Sequence, residues 1–176
     1  MREDRDNQLS QVVRDHLHSQ DLATRELSAT ELSKTCSREI ASQLLGLLSH
    51  PNRYIAIRAA FGLTLMKPSL VVPYLTQAMD SPDISVTKHA AWALGRIRSP
   101  RAREVLVDAL THSNNRTRRE AASGLWPHAL RGFKSAKAQR LLAGMLAGDR
   151  GHAALTLRRM QNPRRAMKVR LPGATV

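Results

Sequence analysis

An all-α fold, an α-solenoid built from stacked helical hairpins, is predicted by two features of the sequence. The first is helical periodicity: throughout residues 83–112 apolar side chains recur every three or four positions, in two runs separated by Ser99 and Pro100. The second is repetition, because the residues 31 positions before Ala90 and Leu94 are again apolar. One hairpin cannot bury its apolar stripe alone, so the copies are expected to stack around a shared core.

Residues 1–20 precede the repeats and are predicted to form a cap helix. Leu9, Val13 and Leu17 fall on one helical face, and Asp6 or Asn7 is a suitable N-cap. The polar face of this helix would then cover the open end of the stack. Such covering prevents end-to-end association of a solenoid.

Residues 21–160 are predicted to hold four hairpins and half of a fifth. Two steps of 31 back from Leu94 and Leu106 reach Leu32 and Leu44, while five extra residues interrupt the pattern after residue 125. Within each hairpin the second helix is expected to follow a short turn. In the unit at residues 83–112 it should begin at Pro100, with the Ser99 side chain capping its first turn.

Residues 161–176 follow the last helical pattern and form a basic tail. Pro163 and Pro172 interrupt it. We predict that this tail is disordered.

The segments AAWALGRI and SPRAREVLVDAL resemble the HEAT-like repeats typified by the phycobilin lyases, over roughly residues 20 to 160. In that family an Asp opens the repeat and a Val-Arg pair precedes the double alanine. Asp83, Asp21 and Arg118 fit this pattern, whereas Thr87 and Ala56 replace the Arg. The resemblance implies the solenoid fold, and it allows attachment of a bilin as one function.

Composition favours one cytoplasmic domain. The chain has 176 residues, of which 42% are hydrophobic and only 3% aromatic, so leucine, alanine, isoleucine and valine must build the core. Cys36 is the only cysteine, which excludes an internal disulfide framework and fits a reducing compartment. The first ten residues lack the apolar run of a signal peptide, and no segment has the roughly 20 apolar residues of a membrane span.

Charge increases strongly along the chain, to a total of +14. Residues 1–50 carry a net charge of −2 and residues 51–113 carry +4, whereas residues 114–176 hold fourteen Lys/Arg against two Asp/Glu, a net +12. This asymmetry predicts an anionic partner for the C-terminal half, whether nucleic acid, an acidic protein or an anionic membrane surface.

The repeat alignment places cations side by side. Lys67, Arg98 and Lys134 share the position before the second helix, and Arg101 and Lys137 share another position one turn on. Adjacent helices pack about 8 to 10 Å apart, a spacing that suits contacts with successive phosphates. We call the first three the loop-edge column. The predicted binding surface also includes residues of the first helices, the insertion and the tail: Arg116, Arg118, Arg119, Trp126, Arg131, Phe133, Arg158, Arg159, Arg164 and Arg165.

The insertion is visible as residues 126–134, nine residues in place of the four-residue GRIR turn after Leu94, and it is predicted to form a loop. Pro127 discourages continuation of the preceding helix, and Gly132 allows a tight reversal. Trp126 or Phe133 can then stack on a base while Arg131 meets phosphate. Alternatively, both aromatic side chains fold back onto the stack and only fill the fourth hairpin.

Trp92 is interpreted as part of the core between repeats. The step of 31 places Phe61 at the same repeat position, which favours inter-repeat packing over base stacking.

Catalytic, metal-binding and cofactor motifs are not recognised in the sequence. The seven histidines show no ligand spacing with Cys36, and there is no glycine-rich phosphate loop or nucleophile elbow. We therefore predict a non-catalytic, cofactor-free module that binds nucleic acid. The resemblance extends to HEAT-like repeats of alkylpurine DNA glycosylases and of a tRNA-modifying reductase. An adaptor for an acidic protein and a phycobilin-lyase-like subunit are the alternatives.

Overall fold

The computed structural model describes residues 11–34, 37–145 and 151–162, and these residues contain helices and no strand. The helices are α1 Gln11–His18, α2 Leu22–Lys34, α3 Arg38–Gly46, α4 Arg53–Leu65, α5 Pro68–Met79, α6 Ile84–Arg96, α7 Pro100–Ala109, α8 Asn115–Leu130, α9 Ala136–Met145 and α10 His152–Gln161. The predicted all-α class is confirmed. None of the helices in these ranges combines the length and the apolar character that a membrane span requires.

The helices form two rows, which confirms the α-solenoid. In the first row α4 packs on α6, α6 on α8 and α8 on α10; in the second row α3 packs on α5 and α5 on α7. The two helices of a hairpin also contact each other: α4 contacts α5, and α6 contacts α7. Each repeat therefore buries its apolar stripe against its neighbours, as the period of 31 residues requires.

Leucine and alanine build the core. Leu63, Leu94 and Leu125, which occupy equivalent positions in three successive repeats, are completely buried, as are Leu75 and Leu106 in the second row. Each buried leucine contributes about 1.5–3 kcal/mol relative to an exposed one. The core is continuous along the stack.

Helix α1 lies where the cap was predicted, with Val13 and Leu17 buried against the first repeats. Arg58 of α4 fastens its C-terminus, because the Arg58 Nη1 donates to the carbonyl oxygens of Leu17 at 2.8 Å and of His16 and Ser19 at 3.3 Å each. The first ten residues, with the predicted N-cap, and the predicted tail from residue 163 onward lie outside the described residues.

The repeated N-caps lie at the first helices rather than at Ser99. Asn52, Asp83 and Asn114, again 31 residues apart, each accept a hydrogen bond from the amide two residues later, at 2.8–2.9 Å. Helix α7 begins at Pro100 as predicted. The Ser99 side chain, however, forms no cap bond; its backbone carbonyl accepts from the Arg103 amide at 3.3 Å. That detail of the prediction is wrong.

Residues 126–130 of the insertion are helical, so the loop predicted over residues 126–134 is wrong for that part. Helix α8 continues through Pro127 to Leu130 and ends where the Arg131 amide donates to the Pro127 carbonyl at 3.2 Å. Its last turn buries His128 and Ala129 against the stack, and this packing outweighs the hydrogen bond that proline cannot donate. Gly132, with φ of +87°, then reverses the chain.

Candidate nucleic-acid interface

The loop-edge column lies on the surface. Lys67 is the N-cap residue of α5, and Arg98 and Lys134 lie two residues before α7 and α9, respectively. All three side chains are exposed. Because they occupy the same position in successive hairpins, they follow one edge of the stack.

Arg101 and Lys137, predicted to flank this column, have acidic neighbours. An Nη1 of Arg101 lies 3.2 Å from Oε2 of Glu104, and the Lys137 Nζ lies 2.7 Å from Oδ1 of Asp108. Exposed ion pairs of this kind contribute about 0–1 kcal/mol, so a stronger anion can displace the carboxylates. Their positive charge is nevertheless partly neutralised in the free protein.

Four arginines gather where α6, α7 and α8 meet; we call Arg96, Arg98, Arg103 and Arg131 the arginine cluster. Partial burial, followed by the charges of Arg98, Arg103 and Arg96, lowers the pKa of the Arg131 guanidinium. None of the four forms an ion pair with a carboxylate within the described part of the chain. The cluster is therefore a local excess of positive charge.

Arg131 has a structural role that the sequence did not reveal. Its Nη2 donates to the Gly95 carbonyl at 2.7 Å and to Nδ1 of His128 at 3.0 Å. Since arginine cannot accept, His128 must carry its proton on Nε2, which donates to the Leu94 carbonyl at 3.0 Å. These bonds attach the end of α8 to the end of α6.

Phe133 folds back onto the stack, as the second interpretation of the insertion proposed. It is half-buried, packs edge-on against His128 at 6.5 Å and lies 5.4 Å below the Arg103 guanidinium. Trp126 is half-buried as well. A groove of about 320 Å³ lies between α7 and α9; Phe133 lines it, and so do both members of the Lys137–Asp108 pair.

The remaining predicted site residues differ in their surroundings. Arg116, Arg119 and Arg158 are exposed on the first helices. Arg118 instead donates to the His112 and Ser113 carbonyls at 2.8 Å each, and Arg159 is half-buried with a 3.4 Å bond to the Leu130 carbonyl. The two tail arginines, Arg164 and Arg165, lie outside the described residues.

Trp92 and Phe61 are not core residues, which corrects the interpretation made from the repeat alignment. Each is 37% exposed, because Ala90, Ala91 and Leu94 direct another face of α6 to the core, as Ala59, Ala60 and Leu63 do in α4. The Arg96 guanidinium lies 4.8 Å from the Trp92 ring and 6.0 Å from the Phe61 ring. The polar Ser123 at the equivalent position of α8 was the sequence signal that this position faces outward.

Residues 40–126 match the family model of HEAT repeats. Among solved structures, the crystal structure of an engineered protein is similar at a TM-score of 0.45, with 20% identity over 89% of this chain and 77% of that chain. No curated protein sequence matches the chain significantly.

Proposed function

We propose that this protein, a HEAT-like repeat protein, is a non-catalytic module that binds nucleic acid through phosphate contacts along its loop edge. The observation that carries the proposal is the arginine cluster beside the loop-edge column. The charges of Arg96, Arg98 and Arg103 act on Arg131, and no described carboxylate pairs with any of the four. A ligand with several regularly spaced negative charges complements this surface.

Guanidinium groups suit phosphate because they offer several donors in a planar fork. Arg98 belongs to both the cluster and the loop-edge column, and the exposed Lys134 and Lys67 continue that edge one repeat later and one repeat earlier. Binding of this kind releases counterions from the nucleic acid. Affinity is then expected to fall steeply with salt and to depend little on base sequence.

The test compares two double variants that remove the same charges from different places. Arg98→Gln with Lys134→Gln removes one arginine and one lysine from the loop edge; Lys34→Gln with Arg38→Gln removes the same pair of residue types from the acidic N-terminal part. Binding to labelled DNA and RNA is measured by electrophoretic shift over a series of salt concentrations. The loop-edge variant should flatten the plot of log K against log salt by about one unit for each phosphate that the protein no longer neutralises.

The control variant should keep the parent slope and most of the parent affinity. Equal losses of affinity in both variants would show that only total charge matters, which would contradict a defined interface. Absence of nucleic-acid binding by the parent protein at low salt would refute the proposal. The cluster would then favour the alternative partner, an acidic protein.

A further inference from the structure

The first helices present an aromatic and cationic surface that the loop-edge proposal does not use. Tyr54, Ile57 and Phe61 lie on one face of α4 and are 75%, 39% and 37% exposed, and Trp92 of α6 lies beside them. Large apolar side chains gathered on a basic, otherwise polar surface indicate an interaction site. The arrangement resembles the combination of stacking side chains and cations that binds single strands.

A pocket of about 180 Å³ opens beside Trp92 between α4, α6 and α8. Its lining combines the Trp92 ring and Ile57 with the cations Arg53 and Lys88 and with Glu120 and Ser123. Trp92 offers an apolar face on which a base can stack, and the amino groups of a base can donate to the Glu120 carboxylate. The pocket therefore suits a nucleobase, with Arg53 and Lys88 available to its phosphates.

Arg96 connects this pocket to the loop edge. Its guanidinium lies 4.8 Å from the Trp92 ring, and its charge acts on Arg131 in the arginine cluster. One turn of α6 separates Trp92 from Arg96, about 6 Å along the helix axis. A strand bound at the loop edge can thus reach Trp92 within a short distance.

We infer that the ligand is a single-stranded nucleic acid, held at the loop edge by its phosphates and at the Trp92 pocket by a stacked base. This inference rests on the proposed function and adds the class of nucleic acid to it. Duplex bases are stacked on each other and paired, so they cannot enter the pocket. A duplex can use only the phosphate contacts.

The experiment measures anisotropy of a labelled oligonucleotide of about 16 nucleotides, single-stranded or annealed to its complement, with the parent protein and three variants. Trp92→Ala removes the stacking face, Trp92→Phe keeps a flat ring, and Leu27→Ala removes another exposed apolar side chain, from α2. Trp92→Ala should weaken single-strand binding about five- to 150-fold, the effect of one stacked base. Duplex binding should stay unchanged, Trp92→Phe should recover much of the loss, and Leu27→Ala should behave as the parent.

A second measurement follows Trp92 emission in the Trp126→Phe protein, in which Trp92 is the only tryptophan. The single strand should quench this emission and the duplex should not. If a correctly folded Trp92→Ala protein binds both forms as the parent does, or emission does not change, the inference is overturned while the dependence on Arg98 and Lys134 stands. If neither form binds at low salt, the proposed function itself fails. If neither nucleic acid binds but polyglutamate does, and its binding depends on Trp92 in the same way, the partner is an acidic protein.

Discussion

At the scale of single residues, two glycines allow a close contact between α6 and α8. Gly95 and Gly124 face each other where α6 packs on α8, and a Cβ atom added to Gly124 would lie 2.5 Å from the Ala91 carbonyl oxygen and 2.8 Å from a Leu106 methyl group. Backbone cannot move away from such a contact without separating the two helices. The Arg131 bond to the Gly95 carbonyl depends on the same close approach.

Gly124→Ala is therefore expected to destabilise the protein despite the better helix propensity of alanine. Overpacking of this kind costs about 1–3 kcal/mol. Gly144→Ala in α9 is the matched control, because an added Cβ there meets nothing within 4 Å, and it should stabilise by about 0.5–1 kcal/mol. Urea unfolding of both variants checks the prediction, and equal effects would contradict the contact.

His128 should make stability depend on pH. Burial, above all, together with the charges of Arg131 and Arg103, lowers its pKa from 6.5 to about 4. Between these two values the unfolded chain binds a proton on this histidine and the folded chain does not, so stability decreases as pH falls from about 6.5 to 4. The loss attributable to His128 approaches about 3 kcal/mol below pH 4.

Unfolding measured against pH in His128→Gln should show a flatter slope over this window. Part of the slope should remain, because burial also lowers the pKa of His16. A slope that is unchanged in His128→Gln would show that its imidazole titrates normally in the folded protein.

At the scale of helices, the sequence was sufficient to predict the hairpins and the start of α7 at Pro100, because an apolar period of 31 residues directly reflects repeated packing. It was not sufficient to predict where α8 ends. Pro127 argues locally for a break, whereas burial of His128 and Ala129, a tertiary effect, keeps the helix intact. The arginine cluster was also only partly predictable, since Arg96 and Arg103 meet Arg131 through the packing of three helices.

The turn that follows α8 allows a testable prediction at the scale of helices. Phe133→Ala with Arg131→Ala removes a half-buried ring and the bond to the Gly95 carbonyl, so it should lower stability by about 2–4 kcal/mol. Thermal unfolding followed by circular dichroism measures the loss. An unchanged melting temperature would mean that this turn contributes binding contacts only, as a mobile loop would.

At the scale of the whole molecule, repulsion between positive charges lowers the stability of the folded protein. The C-terminal part, residues 114–176, has a net charge of +12, and the arginine cluster holds four cations together without paired carboxylates among the described residues. Such self-repulsion destabilises a compact state. A bound polyanion relieves it and stabilises the folded protein by mass action.

Removing two of these cations should then increase stability while it weakens binding. Arg98→Gln with Lys134→Gln is expected to raise the melting temperature by about 2–4 °C at low ionic strength, which corresponds to about 1 kcal/mol of repulsion. The gain should disappear near 1 M salt, where the screening length is about 3 Å. Differential scanning calorimetry at both salt concentrations measures it. A lower melting temperature of the variant at low salt would show instead that Arg98 and Lys134 form stabilising contacts within the folded protein. Their position at the loop edge would then be explained by folding rather than by ligand binding.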